Sequence, residues 1–164
     1  MTDTVYNVLF VCTGNSARSI LAAGLMNNTS RGRFKAFSAG SHPTGVVNRF
    51  ALEVLAELHI PTNGFRSKNW DEFAKPDSPP LDFVFTVCDN AAGEACPFWP
   101  GQPVTAHWGV PDPAAFVGSD EEKRTQFRAA AVTLKRRIDL MLSLPMASLD
   151  SMAIQRELKD IGKR

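Results

Sequence analysis

The stretch from Val8 to Ser19 constrains the fold of this chain more than any other. It consists of an apolar run suited to a buried strand, a loop of small residues, and an apolar run with helical spacing. Cys12 ends the strand, five residues separate it from Arg18, and we expect the helix to begin near Ala17. A loop of this length can turn its backbone N–H groups inward, with the thiol at its base and the guanidinium at its rim. Such a nest binds a tetrahedral oxyanion, and the positive end of the helix points at the same place.

The residues of this loop are small or short and polar, which allows the backbone to curl. The predicted oxyanion-binding residues are Thr13, Gly14, Asn15, Ser16, Ala17, Arg18 and Ser19. Helix N-termini and nearby cations favour the thiolate form of cysteine, so we expect Cys12 to be deprotonated at neutral pH. Ser19 could donate a hydrogen bond to its sulfur. The alternative is a structural cysteine beside a surface arginine, but the strand, the small residues and the helix together favour the oxyanion loop.

The chain has 164 residues, a net charge of +1 and three cysteines. Its length suits one domain spanning residues 1–164. The near-neutral charge argues against a nucleic-acid or acidic-membrane partner, and no apolar run approaches the ~20 residues of a membrane span. Three cysteines without a secretory signal do not suit a disulfide framework and favour a reducing compartment. We therefore expect a cytoplasmic protein, and we take it to be a monomer.

Strands alternate with helices along the chain, which predicts an α/β domain with a parallel sheet. We expect a three-layer sandwich whose four strands have the order 2-1-3-4. The predicted strands are 5–11, 34–38, 83–87 and 104–107, and the main predicted helices are 17–28, 46–59, 119–142 and 148–161. Ligands of such sheets bind at the carboxyl ends of the strands, where the strand order reverses. Cys12, Cys88 and Asp112 follow strands one, three and four, so they should meet at one edge.

Asp112 lies between two prolines in Val-Pro-Asp-Pro. Prolines stiffen the backbone around it, because the residue before a proline is restricted to extended angles. A rigid carboxylate at the ligand edge suits a general acid that protonates a departing oxygen. Asp and Pro are also common turn residues, so a turn aspartate is the alternative.

Cys88 and Cys96 frame a segment that could be a short helix. Eight residues of helix span about 12 Å, whereas a disulfide needs α-carbons within about 7 Å. The two cysteines can therefore bond only if the segment unwinds. They could instead be two small buried hydrophobes. Cys88, Cys96 and His107 lack zinc spacing and a fourth ligand, so we predict no metal site.

The long third helix carries a basic group that we expect to form its solvated face. Its members are Lys123, Arg124, Arg128, Lys135, Arg136 and Arg137.

Three motifs resemble those of the low-molecular-weight protein tyrosine phosphatase superfamily, and within it the arsenate reductases: Cys12-Thr-Gly-Asn-Ser-Ala-Arg18-Ser19, Ser38-Ala-Gly40 and Asp112-Pro113. Phosphatases of this superfamily usually carry aromatic residues after the Asp-Pro pair, to hold a phosphotyrosine ring. Here Ala114 and Ala115 follow it. A phosphatase also has no use for Cys88 and Cys96, whereas reduction of arsenate needs two electrons that thiols supply by forming disulfides.

The resemblance implies a thiol relay for arsenate, with phosphate or sulfate as mimics. Cys12 would attack arsenic while Arg18 holds the oxyanion and Asp112 protonates the leaving oxygen. Cys88 would then attack Cys12, and Cys96 would attack Cys88. No bound cofactor is implied, and thioredoxin or glutathione with glutaredoxin would reduce the final disulfide. Two alternatives stay open: a phosphatase acting on phosphate monoesters, and a non-catalytic oxyanion-binding or redox-sensing module.

Overall fold

A computed structural model describes residues 4–88 and 99–164. Residues 1–3 and 89–98 are not described. The predictions for Cys96, and for the segment that joins it to Cys88, therefore lie outside the described residues.

Four parallel strands form the sheet of the described chain, in the order β2-β1-β3-β4. Their bounds are Tyr6–Cys12 for β1, Phe34–Gly40 for β2, Phe83–Thr86 for β3 and Val104–His107 for β4. The predicted α/β fold and strand order are confirmed. Because the chain runs from β1 outward to β2 and then back to β3 on the other side, the strand order reverses beside the end of β1.

The main helices are α1 (Arg18–Thr29), α2 (Arg49–Glu57), α3 (Asp120–Leu142) and α4 (Ser151–Ile161). Short 3-10 helices cover Trp70–Phe73, Pro113–Ala115 and Met146–Ser148. Within residues 4–88 and 99–164, no helix combines the length and apolar character that crossing a membrane requires.

Two helices begin later than the sequence pattern predicts. The side chain of Asn48 accepts the N–H of Phe50, and that of Asp150 accepts the N–H of Ala153. Both residues have extended backbones. Such capping residues satisfy the open N–H groups of a first helical turn, so each helix starts directly after its cap.

An aromatic stack joins the middle of the sheet to the chain that leaves β4. The ring of Phe85 lies 4.0 Å from that of Trp108 and 5.5 Å from that of Phe10, measured between ring centroids. Trp108 is fully buried, and its indole N–H donates to the carbonyl of Leu158 on α4 at 2.9 Å. A buried indole needs such a partner. The loop after β4 therefore starts from a rigid point.

The basic residues of α3 do not share one environment. Arg124 and Arg128 form ion pairs at 2.8 Å with Glu53 and Glu57 of α2, and these side chains are partly exposed. Arg137, by contrast, is only 7% exposed. The prediction that it belongs to the solvated face is wrong, because position 137 falls on the apolar stripe of the helix rather than beside it.

Helix α3 begins with a reciprocal capping box between Ser119 and Glu122. The Ser119 hydroxyl accepts the N–H of Glu122 at 3.2 Å, and the Glu122 carboxylate accepts the N–H of Ser119 at 3.1 Å. We expect Ser119→Ala to lower the free energy of unfolding by about 1 kcal/mol. Urea denaturation followed by circular dichroism measures this. Thr125→Ala, one turn into the same helix, is the control and should cause no comparable loss.

Candidate active site

Cys12 lies at the carboxyl end of β1 and at the base of the loop that leads into α1. It is 2% exposed. The backbone N–H of Asn15 points at its sulfur at 3.2 Å, and the Ser19 hydroxyl lies 2.9 Å from the same atom. Both groups can donate a hydrogen bond to the sulfur.

Asn15 determines which way the Ser19 hydroxyl points. Its side-chain amide donates to the Ser19 oxygen at 2.8 Å, which leaves the hydroxyl hydrogen to face Cys12. Asn15 is fully buried, and its φ of 47° lies in the left-handed region that asparagine tolerates. Its side-chain oxygen accepts the backbone N–H of Lys68 at 2.8 Å. The loop around the thiol is therefore held by a chain of directed hydrogen bonds.

The segment 41–48 takes up the carbonyl groups of the loop. The carbonyls of Cys12, Thr13, Gly14 and Ser16 accept backbone N–H groups at 2.9 to 3.3 Å from Ser41, His42, Thr44 and Asn48, in that order. In a planar trans peptide, the N–H of the next residue points the opposite way. The amides of 13, 14, 15 and 17 consequently face the interior of the loop, above the thiol.

Helix α1 adds its own amides to this interior. Its N-cap is Ala17, which provides no side-chain hydrogen bond, and no acidic residue lies in the first turn. The first N–H groups of the helix are thus not satisfied by a capping side chain, which is the arrangement that favours an anion.

Arg18 connects this loop to the segment after β4. Its Nη1 donates to the carbonyl of Val110 at 3.2 Å, and its Nη2 lies 3.6 Å from Asp112 Oδ2. The other carboxylate oxygen, Oδ1, accepts the N–H of Ala114 at 3.0 Å. Asp112 is therefore both a turn residue and an oriented carboxylate at the ligand edge, and its side chain stays 39% exposed.

Cys88 follows β3 and lies against the same loop. Its sulfur is 3.5 Å from the hydroxyl of Thr13, the neighbour of Cys12, and it is 2% exposed. Neither Cys12 nor Cys88 is in a disulfide. A second buried thiol beside the loop gives the site a redox option that one thiol alone would not have.

Lys68 supports the loop from the side of β2 and was not singled out by the sequence pattern. Its Nζ donates to the carbonyl of Arg66 at 3.0 Å and lies 3.4 Å from the buried hydroxyl of Ser38. Burial, together with the Arg66 guanidinium, lowers the pKa of Lys68 to about 8. The ammonium is thus held beside β2 at an electrostatic cost, while the backbone N–H of the same residue donates to Asn15 in the loop.

The structure brings four predicted residues together: Cys12, Arg18, Asp112 and Cys88. The predicted convergence at one sheet edge is therefore observed, while Cys96 lies outside the described residues. Within the described residues, no group of three or more His, Cys, Asp or Glu side chains is placed to hold a metal ion. The segment 41–48 and Lys68 were missed, since their contacts join residues distant in sequence and no local pattern announces them.

The sequence profile of the low molecular weight phosphotyrosine protein phosphatases matches residues 7–154. An arsenate reductase of Halalkalibacterium halodurans is 34% identical over 131 residues, covering 80% of this chain and 91% of that protein.

Solved structures agree with this match. An arsenate reductase from Archaeoglobus fulgidus superposes with a TM-score of 0.65 at 28% identity, covering 84% of this chain and 99% of the other. An arsenate reductase described in the phosphate binding state superposes with a TM-score of 0.68 at 26% identity, covering 84% and 97%.

Gly40 lets β2 approach the oxyanion loop. A Cβ at this position would lie 2.5 Å from the carbonyl oxygen of Thr13 and 2.9 Å from the amide nitrogen of Asn15. We expect Gly40→Ala to displace the loop and weaken phosphate or sulfate binding by about ten-fold, with a loss of about 1–3 kcal/mol in stability. Isothermal titration calorimetry and urea denaturation measure the two effects.

The control for Gly40→Ala is Gly32→Ala, before β2. Gly32 has a φ of 85° and no atom within 4 Å of a new Cβ. Alanine there should cost about 1–2 kcal/mol through backbone strain and leave oxyanion affinity unchanged. Equal affinity losses in both variants would contradict the role given to Gly40.

The lowered pKa of Lys68 predicts a pH dependence of stability. Between pH 8 and its ordinary pKa of 10.5, the unfolded chain binds more protons at Lys68 than the folded chain does. The free energy of unfolding should therefore gain a contribution from Lys68 as pH rises through this window. Denaturation curves at pH 7 to 10 should show this gain in the unmodified protein relative to Lys68→Met. Lys35→Met, an exposed lysine on β2, is the control and should follow the unmodified protein.

Proposed function

Because the chain belongs to the low molecular weight phosphotyrosine protein phosphatase family, we propose that it works as an arsenate reductase of that family. One observation carries the proposal: the buried thiol of Cys88 lies against the loop that surrounds Cys12. A hydrolase of phosphate esters needs only the first thiol, whereas a reductase needs a second one. The relatives that bear the name arsenate reductase cover most of this chain, which supports the same assignment.

Arsenate would bind in the nest above Cys12. The inward amides of the loop, the N-terminus of α1 and the guanidinium of Arg18 are donors suited to its oxygens. Phosphate and sulfate have the same tetrahedral shape and should compete for the site. The structural relative in a phosphate binding state is consistent with this expectation.

The first step would be attack of the Cys12 thiolate on arsenic. Asn15 N–H and Ser19 Oγ steady the thiolate before the attack. A hydroxide leaving group is poor, so Asp112 would donate a proton to the departing oxygen, which leaves as water. The product is an arsenic(V) ester of the Cys12 sulfur.

The second step would supply the two electrons. Cys88 attacks the sulfur of Cys12, so an S–S bond forms, the S–As bond breaks, and its electron pair stays on arsenic. Arsenate is thereby reduced to arsenite while two thiols are oxidised to a disulfide. Cys96 then attacks Cys88, which frees Cys12 and leaves a Cys88–Cys96 disulfide.

An external thiol system would reduce that last disulfide. Thioredoxin, or glutathione with glutaredoxin, supplies the required dithiol chemistry, and no bound cofactor takes part in these steps. Such turnover suits the reducing cytoplasm, where we place the protein as a single-domain monomer.

Phosphate monoester hydrolysis is the second candidate, favoured by the loop and the acid that the two reactions share. The 3-10 helix after Asp112 carries Ala114 and Ala115, both exposed. They offer no aromatic surface for a phosphotyrosine ring, so we expect this activity to be low.

The relay predicts different stalls for the cysteine variants. Arsenate-dependent NADPH consumption is measured with thioredoxin and its reductase, and in parallel with glutathione, glutaredoxin and glutathione reductase. Cys12→Ser should abolish turnover, Cys88→Ser should stop before arsenite is released, and Cys96→Ser should release about one arsenite per chain and then stall. Rapid-quench analysis of arsenite gives these stoichiometries.

The controls for this experiment separate the reaction from its reductant. Asp160→Asn, at an exposed position of α4, should behave as the unmodified protein. Turnover only with glutaredoxin would keep the reaction and remove Cys96 as the obligatory resolving thiol. Rapid aryl phosphate hydrolysis without any arsenate reduction would overturn the proposal in favour of a phosphatase.

A further inference from the structure

A buried arginine on α3 has no role in the site as described so far. The buried residues of this helix recur with helical spacing: Phe127, Ala130, Ala131, Leu134, Arg137, Ile138 and Met141. Arg137 is 7% exposed in the middle of this apolar stripe. An apolar residue would suit the packing better, so the guanidinium calls for an explanation of its own.

The contacts of Arg137 go to the backbone and not to an acidic side chain. Its Nη1 donates to the carbonyl of Gly109 at 3.0 Å, while its Nε is buried without a hydrogen-bond partner. Among residues 4–88 and 99–164, no carboxylate lies within ion-pair distance of it. Burial lowers the pKa of Arg137, and the neighbouring Arg136 adds to the effect. A buried and incompletely paired cation costs stability, so a role in function would explain its presence better than a role in stability does.

The hydrogen bond from Arg137 to the carbonyl of Gly109 is the contact through which such a role can act. Gly109 lies between Trp108, which is anchored to α4, and Val110, whose carbonyl accepts Arg18 Nη1 at 3.2 Å. The N–H of Val110 donates to the carbonyl of Val87 at 3.1 Å. Two guanidinium groups, from α3 and from the oxyanion loop, thus hold two successive carbonyls just before Asp112.

We propose that Arg137 is a positioning residue for the general acid. With Arg18 it clamps the backbone at Gly109 and Val110, which sets where the Asp112 carboxyl stands relative to the oxyanion loop. This inference rests on the proposed role of Asp112 as the proton donor. Arg137 touches neither the substrate nor the reacting atoms, so it acts only through the loop.

A positioning role and a purely structural role predict opposite changes in stability. Removing an incompletely paired buried charge in favour of an apolar side chain of similar length is neutral or stabilising. Arg137→Met should therefore melt at or above the temperature of the unmodified protein. Its kcat should nevertheless fall about ten-fold, since a displaced acid transfers its proton poorly. KM for arsenate should change little, because Arg137 does not contribute to the oxyanion nest.

The experiment compares Arg137→Met, Asp112→Asn and the double variant in arsenate reduction, and repeats the comparison with an aryl phosphate. Because both residues act on one proton transfer, the double variant should be no slower than Asp112→Asn alone. Hydrogen exchange should be faster in the peptide that contains residues 109–116 of Arg137→Met and unchanged in β1. Arg136→Met, at the neighbouring exposed position, is the control and should match the unmodified protein in every readout.

Each result decides between the two proposals. If Asp112→Asn slows turnover and Arg137→Met does not, or if the two losses multiply, the positioning role is wrong and the proposed function stands. If Asp112→Asn leaves both reactions unchanged, the acid assignment fails, and the role of Arg137 fails with it. Should Arg137→Met not fold, Arg137→Lys takes its place. We expect it to lower kcat by a smaller factor and again to leave KM unchanged. A rise in KM for arsenate with an unchanged kcat would overturn the proposal.

Discussion

The conformation of the oxyanion loop depends on the hydrogen bonds that its carbonyl oxygens accept. Four of them accept backbone N–H groups from the segment 41–48, and each peptide plane then turns the following N–H toward the interior. If these carbonyls were left to compete for the interior, their negative ends would repel an oxyanion. The conformation of the loop is therefore fixed by hydrogen bonds from a neighbouring segment of the chain.

The same logic extends to the thiol. Asn15 has a left-handed backbone, and its side-chain oxygen accepts the backbone N–H of Lys68. Its side-chain amide donates to the Ser19 oxygen, so the Ser19 hydroxyl hydrogen is directed at Cys12. The donor and the acceptor of each hydrogen bond in this network are fixed, because an amide group donates through its nitrogen and accepts through its oxygen. The backbone N–H of the half-buried Lys68 and the close approach of Gly40 hold this hydrogen-bond network in place.

The loop that carries Asp112 is held by a different device. Its start is fixed by Trp108 in the aromatic stack, and its two following carbonyls face the guanidinium groups of Arg137 and Arg18. Arg18 is the first residue of α1, directly after the oxyanion loop. Asp112 and the loop around Cys12 are thus joined through the side chain of Arg18.

Local patterns in the sequence determined the strand, loop and helix around Cys12, the parallel sheet with its order of strands, and the edge where Cys12, Cys88 and Asp112 meet. These predictions rest on hydrophobic periodicity, on the alternation of strands with helices, on the placement of ligands at the carboxyl ends of parallel strands, and on spacing along one short segment. Only the tertiary structure decided which N–H groups the loop carbonyls accept, that the backbone N–H of Lys68 donates to Asn15, and that Arg137 is buried instead of solvated. Those contacts join residues far apart in the chain, and they depend on how helices and loops pack together, which no local pattern of residue types encodes.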